Sequence, residues 1–298
     1  MRSLARRLLL EVRLVFTALQ FFTRVPVPAW VGFDPAWMPR SLRHLPTVGL
    51  LVGAWGALVL ALASAWWPPA VAVGLSMAAT VWLTGAFHED GWADTCDGLG
   101  GAVPRDKALA IMKDSRIGSY GAVGVVLMLG LKAAVLSSLL TPWVTELNAA
   151  QSSGIHRVLL GWTCLGLVWA HAASRWAPVV LMCLLPYAGD AGQAKAPPLA
   201  LRAGPRTLLG ASLMLAVVAL CLWACLNLWG WPVRTWWQAM GISSLGVLLA
   251  MALAARWFRQ RLGGFTGDTL GACQQLAELA ALLGWLAVIR PVSGFELG

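Results

Sequence analysis

The chain has 298 residues, of which 59% are hydrophobic and 12% charged, and its mean hydropathy is +0.71. Soluble domains run at roughly 45–50% apolar and about 25% charged, so this composition excludes an ordinary water-soluble enzyme and indicates a membrane protein. The net charge of +9 does not indicate nucleic acid, because the cations flank apolar segments and do not alternate with aromatics in a polar domain.

The first 28 residues combine Arg2, Arg6, Arg7 and Arg13 with an apolar run. Glu11 and Arg13 interrupt that run and no small-residue cleavage site follows, unlike a signal peptide, so the segment reads as an uncleaved amphipathic helix lying in the interface. Seven apolar segments follow, at about 47–67, 70–87, 118–140, 157–175, 207–229, 236–257 and 269–289, each near the roughly 20 residues that cross a bilayer. Pro68 and Pro69 break the first from the second. The apolar stretch 157–187 is too long for one untilted span; the span is expected to end at Arg175, with 176–187 interfacial or re-entrant, and a hairpin of short helices would change the count. Trp66, Trp67, Trp143, Trp229, Trp231, Trp236, Trp237 and Trp257 stand near segment ends, as an aromatic belt would place them. The six cysteines form no CxxC pair and most lie in apolar segments, so no disulfide framework is implied. The fold expected is all-α, a polytopic membrane helical bundle of about seven transmembrane helices plus the interfacial helix, in one domain covering 1–298.

Charge fixes the orientation. The regions before 47, at 88–117, at 176–206 and at 256–268 hold 17 of the 22 Lys and Arg residues, whereas the alternate connections hold Arg157, Arg234 and Arg290. The positive-inside rule therefore puts the N-terminus and these four regions in the cytoplasm and the C-terminus outside.

Six of the thirteen acids (Glu89, Asp90, Asp94, Asp97, Asp106, Asp114) fall in the one connection that follows the second segment. On a helix, Asp90, Asp94 and Asp97 share an arc of roughly 60°. Three carboxylates on one face repel each other unless a cation sits among them, and oxygen-only ligands favour a hard ion such as Mg²⁺; a solvated acidic face is the competing reading. Gly91 and Gly98 beside them could admit a ligand close to the backbone or simply serve a loop. Lys113-Asp114-Ser115-Arg116 mixes a carboxylate with two cations, as phosphoryl transfer requires, although a basic cluster touching anionic lipid would look the same. In Gly263-Gly264-Phe265-Thr266-Gly267-Asp268-Thr269, backbone amides could meet a phosphate and Asp268 a metal, or the segment could merely cap the next helix. Arg175, with His171 one turn earlier, and Lys132, with Glu278 as a candidate partner, are ionisable residues within apolar segments, where the cost of burial makes them site candidates unless they snorkel.

Three blocks, His88-Glu89-Asp90-Gly91-Trp92-Ala93-Asp94-Thr95-Cys96-Asp97-Gly98, Ile111-Met112-Lys113-Asp114-Ser115-Arg116-Ile117-Gly118 and Thr266-Gly267-Asp268-Thr269-Leu270-Gly271-Ala272, resemble those of the cobalamin synthase (adenosylcobinamide-GDP ribazoletransferase) family, as does the opening Phe21-Phe22-Thr23-Arg24-Val25-Pro26-Val27-Pro28. The resemblance implies a Mg²⁺-dependent enzyme of a bacterial inner membrane, with its active site on the cytoplasmic side. There a ribose hydroxyl of α-ribazole, or of its 5′-phosphate, attacks the cobinamide-bound phosphorus of adenosylcobinamide-GDP and GMP leaves. It further implies metal ligation by Asp90, Asp94 and Asp97, with Asp114 and Asp268 as additional ligands or one of them as base, and phosphate binding by Lys113, Arg116, Arg175, Gly267 and Thr269. Whether the chain acts alone or as a homo-oligomer is left open. Two other readings use the same residues: an aspartate-motif transferase of the CDP-alcohol phosphotransferase or prenyltransferase type, and a cation-coupled transporter. The first needs an Arg where Asp94 follows Ala93, and the second expects its ligands at the bilayer midplane.

Overall fold

A computed structural model describes residues 2–141, 149–189, 203–228 and 232–289. Within them the chain forms α1 (Arg2–Phe22), α2 (Met38–Ser41), α3 (Leu45–Ala63), α4 (Pro69–Thr84), α5 (Phe87–Gly100), α6 (Arg105–Lys113), α7 (Ser119–Leu140), α8 (Ala149–Leu184), α9 (Pro205–Leu228), α10 (Val233–Leu262) and α11 (Gly267–Ile289). No strand occurs among the described residues, so the all-α expectation holds. Six helical stretches are long and apolar enough to cross a membrane, and seven if the bent pair α4–α5 counts as one span.

The amphipathic N-terminal helix is present as α1. Its inner face buries Leu14, Ala18 and Phe22, while Leu4, Leu8 and Val12 stay exposed toward its start. Glu11 ties α1 to the turn before α3, accepting from Arg43 Nη2 at 2.9 Å. At the centre, Gly49, Gly53 and Gly56 let α3 approach α8 and α4 so closely that an added Cβ would clash with Ala172, Val168 and Thr80 respectively. Small residues of this kind replace the hydrophobic drive that is missing between helices in lipid.

Two expectations need correction. The stretch 157–187 is neither cut at Arg175 nor folded back: α8 runs unbroken from Ala149 to Leu184 with Pro178 inside it. Pro178 forfeits one backbone hydrogen bond, but Ala177, Val179, Leu181 and Met182 around it are buried, and this packing on both sides holds the helix together. Trp236 is a core residue, fully buried and edge-on to Trp285 at 5.7 Å, not part of a belt. Trp66, Trp67 and Trp237 are exposed as a belt requires, and Trp143, Trp229 and Trp231 lie outside the described residues.

The bend after α4 decides where the acids go. Gly85 (φ +68°) and Ala86 (φ +59°) both take left-handed backbone, closing α4 with bonds to Trp82 and Val81 carbonyls. α5 then departs at 88°. Ala pays roughly 1–2 kcal/mol for that conformation, so the turn is held by what α5 packs against. Arg261 donates to the carbonyls of Leu99 (3.1 Å) and Gly101 (2.6 Å), closing the end of α5. Arg105 donates to Leu262 (2.8 Å) and to Ala188. The segment after α8 joins the turn before α11 through Phe265 N to Pro186 O (2.9 Å) and Ala188 N to Phe265 O (2.8 Å). Segments from 88–117, 176–206 and 256–268, three of the four cation-rich regions, therefore meet at one end of the bundle.

Candidate active site

α5 lies across that end between the first turns of α7 and α11. On one side Gly91 rests on Asp268, where a Cβ would come within 2.7 Å of the Asp268 carbonyl oxygen, and Gly271 lies against Gly91 and His88. Gly98 packs on Met112 of α6. Both glycines expected to serve a ligand or a loop serve helix packing instead. On the other side Asp97 reaches α7, and Gly124 packs against Cys96 and Trp92.

The carboxylates therefore have different surroundings. Asp90 is exposed, Asp94 and Asp268 are half-buried, and all three border the same end of the bundle. Asp97 is engaged with both oxygens, accepting from Gly118 N at 2.8 Å and Gly121 N at 2.7 Å. Asp114 is bonded to Arg116, with Nη2 to Oδ2 at 2.7 Å and Nε to Oδ1 at 3.0 Å. The Arg116 side-chain bonds, followed by its backbone amide, pull the Asp114 carboxyl down to about 2. The sign follows: Asp114 carries its charge, and the pair persists, above the ordinary carboxylate range, and both are lost only as pH falls toward 2. The Asp114→Asn substitution is accordingly expected to leave the shape of any activity profile between pH 5 and 8 unchanged, which a rate–pH series would check.

Thr269 is buried, and its hydroxyl accepts from Thr266 N (2.8 Å) while its own N–H meets the Thr266 hydroxyl (3.3 Å). This is a reciprocal cap, of the kind the sequence offered as the alternative to phosphate binding. Gly267, at the first position of α11, is half-exposed. Lys113 and Arg116 are exposed at the turn between α6 and α7.

Deeper in the bundle, Lys132 Nζ meets Glu278 Oε1 at 2.7 Å, the pair anticipated from sequence, with both side chains about 95% buried (5% and 6% exposed). His171 Nδ1 lies 3.1 Å and Arg175 Nη1 4.0 Å from the other Glu278 oxygen. Gln274 donates to Glu278 (2.6 Å), and Gln275 bonds Lys132 and donates to Glu89 (3.1 Å). Arg175 thus faces the buried His171–Glu278 network. It does border, with Gly267, His88 and Phe22, a small cavity of about 20 Å³, room for roughly one water molecule and not for a phosphate. The role of Gln274, Gln275 and Glu89 was missed in the sequence; the available signal was two adjacent glutamines inside an apolar span, three and four residues before Glu278.

Among the described residues no three His, Cys, Asp or Glu side chains are arranged to hold a metal ion. The carboxylates thus do not already face one another as a ready-made metal cage among the described residues. A hard ion bound by one or two carboxylates plus substrate phosphates does suit it, since Asp90 and Asp94 offer oxygen donors from one face of α5.

A family model for cobalamin-5-phosphate synthase matches residues 14–286. The chain belongs to the cobalamin-5-phosphate synthase family. Relatives named adenosylcobinamide-GDP ribazoletransferase include one from Leptothrix cholodnii, 57% identical over 93% of this chain and 96% of the relative. Another, from Albidiferax ferrireducens, is 41% identical over 92% and 97%. No solved structure matches the chain. As a member of this family the chain is a multi-pass membrane transferase of cobalamin biosynthesis, acting at nucleotide-loop assembly, and the other transferase families and the transporter give way to that assignment. The blocks that carry the family resemblance map onto α5, the α6–α7 turn and the first turn of α11, three pieces that meet along α5, where Gly91 packs on Asp268 and Asp97 bonds Gly118.

Proposed function

We propose that this chain joins adenosylcobinamide-GDP to α-ribazole, or to its 5′-phosphate, and releases GMP, at the end of the bundle where α5 lies across the first turn of α11. The observation that carries the reading is the packing of Gly91 on Asp268, which sets the exposed face of Asp90 and Asp94 beside that helix start. The cation-rich character of the three connections that meet at this end supports a cytoplasmic site in a bacterial inner membrane, by the positive-inside rule.

A free ribose hydroxyl oxygen of the ribazole forms a bond to the cobinamide-bound phosphorus, the P–O bond to GMP breaks, and the hydroxyl proton passes to a carboxylate. Asp268 is the acceptor favoured, because Arg116 holds Asp114 at about 2 and leaves it a poor base. Lys113 and Arg116 steady the phosphoryl oxygens, Arg116 through the Nη1 that it does not give to Asp114. The Gly267 amide, in the first turn of α11, points its partial positive charge toward the same phosphates. Mg²⁺ entering with the diphosphate and held by Asp90 and Asp94 would neutralise charge on the diphosphate and on the departing GMP. Thr269 acts by capping α11, and Arg175 acts inside the bundle on Glu278, so neither is assigned to substrate.

Purified protein in detergent or lipid, given adenosylcobinamide-GDP and α-ribazole, is expected to yield a cobalamin and GMP in equal amounts with Mg²⁺ and neither with EDTA. Products that persist in EDTA would remove the metal from this reading, and no products in lipid-reconstituted, folded protein would overturn the reaction.

A further inference from the structure

We propose that Asp97 is a positioning residue, a clamp that fastens α5 to the start of α7, and not a metal ligand, although it shares a helical face with Asp90 and Asp94. The proposal rests on the reading of that face as the reaction site. The first turn of α7 leaves its amides without helical partners. Gly118, which precedes the helix, forms no side-chain cap of its own. The cap comes from another helix: Asp97 Oδ2 accepts from Gly118 N at 2.8 Å and Oδ1 from Gly121 N at 2.7 Å. A carboxylate at a helix start also meets the positive end of the helix dipole, so the ionised form is the one held.

The surroundings are built for this contact. A Cβ on Gly121 would collide with Asp97 Oδ2, and one on Gly118 would come within 2.5 Å of Oδ1. One turn further, Gly124 meets Cys96 and the Trp92 indole. Gly118, Gly121 and Gly124 thus form a ridge at three-residue spacing, shaped to receive α5. With both oxygens committed to amides, Asp97 would have to release α7 in order to bind a cation. Asp90, exposed, carries no such commitment. The clamp on α7 and the Gly91 contact on α11 hold α5 from two sides, and the face between them is the one carrying Asp90 and Asp94.

The test uses full-length protein in detergent with four variants, Asp97→Ala, Asp97→Asn, Gly121→Ala and Asp94→Asn, and two readouts that need no turnover: thermal unfolding in EDTA, and Mn²⁺ binding followed by electron paramagnetic resonance in the presence of GDP. Asp97→Ala and Gly121→Ala are both expected to lower the melting temperature in EDTA, with Asp97→Asn losing less than Asp97→Ala, because the Asn oxygen still accepts from one glycine amide while its NH2 cannot accept from the other. Folded Asp97→Asn is expected to bind Mn²⁺ within about twofold of the parent, whereas Asp94→Asn weakens it by at least about tenfold. The inference is overturned if Asp97→Asn weakens Mn²⁺ as much as Asp94→Asn does, or if Asp97→Ala and Gly121→Ala melt in EDTA with the parent. Should the parent bind no Mn²⁺, the metal reading of Asp90 and Asp94 fails, and the melting series still decides whether Asp97 is a clamp.

Discussion

Replacing Asp90 or Asp94 by Asn is expected to lower kcat/KM by at least about 10²-fold and to raise the Mg²⁺ concentration needed for half-maximal rate, with little change in melting temperature for Asp90→Asn. The magnitude follows from comparison with outer-shell partners of metal ligands, whose loss alone costs about 10–100-fold. Direct ligands that also set the phosphates should cost at least as much. The unchanged stability of Asp90→Asn follows from the exposure of Asp90. Steady-state rates over a Mg²⁺ series, with a melting curve on each variant, check both halves. A variant that keeps the parent rate at every Mg²⁺ concentration would remove its residue from the site.

The second large effect is on stability. Glu278→Ala is expected to destabilise the bundle by about 3–5 kcal/mol, the usual result of stripping one partner from a buried ion pair. Lys132 and Arg175 would lose their buried counter-charge within the membrane-spanning part of the protein, where charge without a partner is expensive. Lys132→Met alone leaves Glu278 short of its nearest cation and should also destabilise. The double variant Lys132→Met with Glu278→Gln is expected to melt above either single variant, because both formal charges are removed together. Melting temperatures in one detergent form the double-mutant cycle, and simple additivity would mean the two residues do not interact. The network also carries a link toward the site: Gln275 joins Lys132 and donates to Glu89, the residue before Asp90, so looser packing here should be felt at α5.

Much of the molecule could be read from residue pattern. Apolar segments of bilayer length must be helical, because no other open structure satisfies its backbone in lipid. The Lys132–Glu278 pair was legible for a related reason, since an ionisable group in an apolar span needs a partner and few were on offer. α8 was misread because a length rule cannot tell a long tilted helix from a span followed by an interfacial piece; the burial of Ala177, Val179 and Leu181 around Pro178 settles it. Trp236 was misread because position near a segment end does not reveal which face of the helix meets Trp285.

The candidate site divides in the same way. Helical periodicity places Asp90, Asp94 and Asp97 on one arc, and that much is intrinsic to the chain. Their different fates depend on what stands opposite: glycine amides of α7 for Asp97, open solvent for Asp90. Asp114 and Thr269 were likewise visible as polar residues in the family-like blocks, while their bonds to Arg116 and Thr266 depend on local turns. By itself the sequence determined a helical membrane protein with acids and cations gathered in the same connections, because hydropathy, charge asymmetry and helical spacing are properties of the chain alone, and its motif blocks pointed to the transferase family. Only the tertiary structure decided which acids hold helices and turns together, as Asp97 and Asp114 do, because a carboxylate's role is set by the donors that packing brings within hydrogen-bond reach of its oxygens.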